Sequence, residues 1–139
     1  VDSVEDHLRW VPDIAEVAGV DVDFPIIADE DRSVSQAYDM IHPGEGDTST
    51  VRSVFLIDPS NTVRLTITYP KSVGRNFTEI LRALDALQAT DRSPISTPAE
   101  WVPGDRVIVA PAIATDDARE RFANVDEVKP YLRFADAPA

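Results

Sequence analysis

An α/β fold is what this sequence predicts, on three observations: an unbroken apolar run at Val54-Phe55-Leu56-Ile57, an alternating segment behind it, and a helical apolar stripe after that. The run is rich in β-forming residues, which suits a central strand covered on both faces. Asp58-Pro59-Ser60-Asn61 supplies turn chemistry, with Asp opening the turn and Pro presetting φ at its second position. The returning strand, at about 62–69, places Val63, Leu65, Ile67 and Tyr69 on one face and Arg64, Thr66 and Thr68 on the other. With only one face apolar, it is expected at a sheet edge. Pro70 ends it. Asn76 then opens a helix, and Glu79 three residues on completes a capping box. Phe77, Ile80, Leu81, Leu84 and Leu87 form the stripe that packs on the sheet. Two arginines, Arg52 and Arg75, fall just outside the regular elements of this β-β-α unit.

The rest of the chain supports the same class. Ser3, with Asp6 in the N3 position, caps a helix expected over 3–18, whose apolar face is Val4, Leu8, Val11, Ile14, Val17 and Ala18, with Gly19 as C-cap. Pro12 removes one hydrogen bond inside it, so a kink or break is expected near Trp10-Val11. Residues 24–27 form a brief strand or extended segment, 31–41 a second helix, and 42–50 a polar loop. Beyond Thr90 proline recurs at 94, 98, 103, 111, 130 and 138, and one strand is expected, at 106–110. Thr115-Asp116-Asp117 caps a short helix through Phe122, and Tyr131-Leu132-Arg133-Phe134 offers a small apolar patch. The division expected is therefore 1–90 as an α/β part and 91–139 as an arm or small subdomain. Three amphipathic helices need more sheet than this: two confident strands and one doubtful one fall short of the roughly 4–6 of an ordinary sheet. Part of the sheet is expected to be missing, because the chain opens almost on an N-cap.

Composition narrows the function classes. With 13 basic and 25 acidic side chains the formal charge is −12, which argues against nucleic acid or an anionic membrane as the main partner. No apolar run approaches the roughly 20 residues needed to cross a bilayer, and VDSVEDHLRW is not a leader, so a cytoplasmic chain is expected. Cysteine is absent. Disulfides, thiolate metal sites and a cysteine nucleophile within these residues are therefore excluded.

Four blocks in order resemble one family. VDSVEDHLRWVPDI resembles the segment that follows the strand after the catalytic helix in one-cysteine peroxiredoxins of the peroxiredoxin 6 type, and FPIIADEDRSVSQAYDMI resembles the next segment. YPKSVGRNFTEILRALDALQ resembles that family's TGRNFDEILR-like helix, and TPAEWVPGDRVIVAP its C-terminal extension, TPxxWxxGDxVxVxP. The resemblance implies a thioredoxin-like sheet with flanking helices and a C-terminal domain (91–139) that takes part in homodimer formation. It implies a thiol peroxidase that reduces hydrogen peroxide and alkyl hydroperoxides through a cysteine sulfenic acid, regenerated by an external thiol. The PVCTTE-like segment that carries the family's cysteine has no counterpart here, and with it go the first strands of the sheet. A partner segment N-terminal to this chain is thus implied as the source of the cysteine.

A peroxidatic thiolate and a polarised peroxide both call for a fixed positive charge, and arginine supplies one with a rigid fork of donors. By position in the resemblance, Arg52 in TVRSVF matches the family's active-site arginine, and Arg75 in VGRNF a second arginine near the site. Read without it, each is an ordinary surface arginine, Arg52 in water and Arg75 paired with a carboxylate or a loop carbonyl. His7 and His42 have no triad partner in sequence. Asp29-Glu30-Asp31 and Asp116-Asp117 are helix-start charges rather than a cation loop, and no cofactor or metal is implied. The phospholipase activity of some relatives is not carried over, because its serine and histidine lie in the missing part. The competing class is a non-catalytic dimerisation module, with the strand at 62–69 pairing across a two-fold axis.

Overall fold

The computed structural model describes residues 1–45 and 49–138, so the centre of the expected polar loop, 46–48, lies outside the described residues. Its contacts divide the chain into two compact units, Val1–Ile57 with Leu65–Arg75, and Asp58–Arg64 with Asn76–Ala139.

The first unit opens on helix α1 (Val4–Ala18). The Ser3 side chain accepts the Asp6 amide at 3.1 Å. At the other end Gly19 takes φ 67°, a left-handed conformation that glycine adopts without steric cost, and its amide bonds to the Ala15 carbonyl. The helix runs through Pro12 without the expected break. Helix α2 (Ser33–Ala37) is one turn rather than the expected 31–41. Asp39 turns to φ 51°, and the Asp39 and Met40 amides close back onto the Gln36 and Ser35 carbonyls at 3.0 and 2.8 Å. That is a Schellman closure, with aspartate where glycine is usual. Residues 24–27 form no strand.

Strands β1 (Arg52–Ile57) and β2 (Val63–Tyr69) make a two-stranded sheet. Asp58 shapes the turn between them. Its carboxylate accepts from the Ser60 and Thr62 amides at 2.8 and 3.0 Å, and Asn61 takes φ 60°. β2 alternates as expected: Leu65, Ile67 and Tyr69 are half-buried, and Arg64, Thr66 and Thr68 are exposed. β1 departs from expectation. None of its residues is buried, because β2 is its one neighbour among the described residues.

The second unit holds helix α3 (Phe77–Arg92), capped by the Asn76 side chain on the Glu79 amide. The capping box is only half formed, since the Glu79 carboxylate binds Arg82 at 2.6 and 2.8 Å instead. The stripe is met in part, with Ile80, Leu84 and Leu87 half-buried. Phe77 and Leu81 are exposed, Ala83 is buried, and Ala86 and Ala89 pack on Ile95, Trp101 and Val107.

The C-terminal region corrects the expectation of one strand and an apolar patch. Strands β3 (Ile95–Ser96), β4 (Val107–Val109), β5 (Asp126–Lys129) and β6 (Leu132–Ala135) form a sheet in the order β3-β4-β6-β5, antiparallel throughout. Ile95 lies opposite Val109, and Val107 opposite Ala135. Helix α4 (Thr115–Arg121) covers it through Ala118, which packs on Val109 and Ala135. Thr115 lies inside this helix rather than capping it, and Ala114 occupies the cap position without a side-chain bond. Short strands with interrupting prolines hid the sheet, since none is long enough to show a period of its own.

Candidate active site

The site begins with two anchors that fix where β1 starts. The Val51 amide donates to the Met40 carbonyl at 2.8 Å, and the Val51 side chain is buried at 6% exposure. Because neighbouring strand residues point to opposite sides, an inward Val51 sends Arg52 outward. The Arg52 guanidinium is exposed, and its Nη1 donates to the Val73 carbonyl at a long 3.5 Å. Val73 belongs to the turn after Pro70, closed by its own amide on the Pro70 carbonyl at 2.9 Å. Arg75 is exposed two residues further along that turn. A second tie, Lys71 Nζ to Ser49 Oγ at 3.1 Å, draws the same two stretches together.

The structure therefore gathers the segments that carry Arg52 and Arg75 at one end of the hairpin. Residues 49–57 and 65–75 contain three cations, Arg52, Lys71 and Arg75, and no carboxylate, in a chain that has 25 acidic side chains. Among the described residues no ion pair involves Arg52 or Arg75. The carboxylate partner considered for Arg75 is thus not found there. A permanent charge with no carboxylate on it is disposed to meet an external anion, and a guanidinium can hold a thiolate or polarise a peroxide oxygen. Lys71 was not singled out from the sequence. The acid-free stretch on either side of Pro70 is the signal that would have found it.

The other candidates lie elsewhere. His7 lines an open groove of about 390 Å³ with Asp2, Asp6 and Trp10. His42 Nδ1 accepts the Gly44 amide at 3.4 Å. Asp29 is buried at 5% exposure and is occupied structurally: it accepts from the Val34 and Ser35 amides at 2.9 and 2.8 Å and from the Ser35 hydroxyl. The hydroxyl bond foremost, then those amides, hold its carboxyl below the usual aspartate range, against the opposing effect of burial. Asp31 is lowered in the same way, first by the Ser33 amide. Neither is spare for a cation, and no group of three or more potential metal ligands is found among the described residues.

Comparison with known proteins completes the picture. Residues 86–124 match the C-terminal domain of 1-Cys peroxiredoxin, and residues 1–66 match the AhpC/TSA family. The sequence is 49% identical over 139 residues to the 1-Cys peroxiredoxin of Dictyostelium discoideum, covering 99% of this chain and 58% of that protein. It is 48% identical over 141 residues to a mitochondrial peroxiredoxin of Saccharomyces cerevisiae, covering 96% of this chain and 54% of that protein. The chain thus spans little more than half the length of these curated relatives. Among solved structures, the yeast mitochondrial 1-Cys peroxiredoxin superposes with a TM-score of 0.88 at 47% identity, covering 98% of this chain and 67% of that one. A cysteine-to-serine mutant of peroxiredoxin 6 of Arenicola marina gives 0.89 at 41% identity, covering 99% and 67%.

Proposed function

Because this chain belongs to the one-cysteine peroxiredoxins and shares their thioredoxin-like fold, we propose that it is the arginine-bearing portion of a thiol-dependent peroxidase. The observation that carries this reading is Arg52, seated at the mouth of β1 beside the Val73 carbonyl and paired with no carboxylate among the described residues. The sequence contains no cysteine, so the reacting sulfur comes from a segment N-terminal to this chain. Helix α1 supports that assignment: no residue of it is buried, and Leu8 and Val17 of its apolar side are 70% and 88% exposed. A face of that kind needs a covering layer.

In the proposed reaction the thiolate attacks one peroxide oxygen and the O–O bond breaks. The departing oxygen takes up a proton and leaves as water or an alcohol, and the sulfur remains as sulfenic acid. Arg52 stabilises the thiolate before attack and the charge on the departing oxygen during it, while Arg75 adds to the positive field. An external thiol then condenses with the sulfenic acid, expelling water, and a second thiol frees the cysteine by exchange. The thiol resolving mechanism of the yeast mitochondrial relative runs via glutathione/thioredoxin systems, and a reductant of that class is proposed here.

The test is thiol-dependent consumption of hydrogen peroxide by the cysteine-containing protein, with Arg52→Ala as control. A loss of tenfold or more supports the assignment. A loss of no more than twofold removes Arg52 from the site. The proposed compartment is the cytoplasm, whose reducing poise suits a thiol-regenerated enzyme. Recovery of the protein in a mitochondrial fraction, matching the yeast relative, would overturn that.

A further inference from the structure

The second unit contains a buried charge that the proposed reaction does not use. Arg133, on β6, is 1% exposed. A buried guanidinium is costly unless it is paired or hydrogen-bonded, and the ordinary partner is a carboxylate. Here there is none: no ion pair among the described residues includes Arg133. Its register neighbour on β5 is Glu127, yet that carboxylate faces Arg119 at 3.7 Å.

The oxygens that Arg133 does bind all belong to one stretch of chain. Its Nη1 donates to the Ile113 carbonyl at 2.5 Å and to Thr115 Oγ1 at 3.5 Å. Its Nη2 donates to the Ala110 carbonyl at 3.2 Å and the Pro111 carbonyl at 3.4 Å. Residues 110–114 are the five-residue strap between β4 and α4. Pro111, Ala112 and Ala114 are exposed, and Ile113 alone among these five packs on the core of Val109, Ala118 and Ala135. Beyond the Ala110 amide on the Pro94 carbonyl at 3.0 Å, one apolar side chain and one guanidinium hold the strap down. Among the described residues Nε of Arg133 has no partner, so the side chain is committed to the strap at the expense of satisfying itself.

We infer that Arg133 is a latch, a buried cation that keeps the β4–α4 strap closed over the core by binding the strap's own backbone oxygens. Lysine cannot replace it, since a single ammonium lacks the planar fork that reaches both ends of the strap.

The first measurement needs no mutation. In nitrogen-resolved NMR of the chain, a caged Arg133 gives separate, slowly exchanging Nη proton signals at 25 °C, while exposed Arg52 and Arg75 give averaged ones. Averaged signals from Arg133 would overturn the latch. The second measurement is amide exchange at Ala112, Ile113 and Ala114. Arg133→Met is expected to raise it at least tenfold while β4 and β6 stay protected, and Arg133→Lys to do the same. Restoration by lysine to within twofold of wild type refutes the fork requirement. Should Arg133→Met fail to fold, Thr115→Val removes one oxygen from the cage and is expected to raise the same exchange severalfold; unchanged exchange there counts against the latch.

Discussion

Single side chains in this molecule act through what they are denied as much as through what they touch. Arg52 and Arg75 lack carboxylate partners among the described residues, which leaves their charge for an incoming anion. Arg52→Lys keeps the charge but loses the fork, so in the cysteine-containing protein it is expected to retain more activity than Arg52→Ala and less than wild type, measured as initial peroxide consumption. Asp29 behaves in the opposite way, with its acceptors filled by Val34 and Ser35. Its carboxyl is held below the ordinary range chiefly by the Ser35 hydroxyl, so its folded pKa lies below its unfolded one. The stability it contributes is present above the unfolded value, near 4, and is lost as pH falls through the folded one. Thermal melts between pH 2 and 6 are expected to show Asp29→Asn flattening the acid side of the stability curve.

At the scale of the element, caps and edges decide more than propensity does. Asn76→Ala removes the acceptor of the Glu79 amide and is expected to cost about 1 kcal/mol in chemical denaturation, the usual worth of an N-cap. The Glu79–Arg82 pair should survive it, because Arg82 also holds the Trp101 carbonyl at 3.1 Å. β2 bears on assembly. It has one strand neighbour among the described residues, its outer side chains Arg64, Thr66 and Thr68 are exposed, and an unpaired edge is a template for a second copy. In the competing reading, a dimerisation module that pairs through that edge, Thr66→Pro is expected to yield monomers by light scattering. An unaltered dimer would move the interface elsewhere.

Over the whole molecule, burial is distributed unevenly between the two units. Among the described residues, Ala83, Ile95, Trp101, Val107, Val109, Ala118 and Ala135 are buried in the second, against Val51 in the first. Apolar burial is the main source of stability, so the second unit has the means to hold itself together and the first does not. Hydrogen exchange on the chain alone is expected to show β4 and β6 most protected and α1 least. Adding the N-terminal peroxiredoxin segment should raise protection in α1 and β1 without changing β4. Equal protection in both units from the outset would refute the idea that the first unit awaits a covering layer.

Sequence by itself determined the elements with a clear local cause: α1 between Ser3 and Gly19, the Asp58 turn, β2 by its alternation, α3 from Asn76, and the family by its four ordered blocks. It also pointed to Arg52 and Arg75, though only through resemblance, because an isolated arginine has no pattern of its own. Tertiary structure alone decided the rest. The C-terminal sheet is assembled from strands of two to four residues, too short for periodicity to register, and their identity comes from pairing partners up to dozens of positions away. The burial of Arg133 has the same origin, whereas the shortening of α2 and the diversion of Glu79 to Arg82 are local closures within one turn. In each, a partner distant along the chain, or a local closure that propensity does not encode, outweighed the preference of the segment itself.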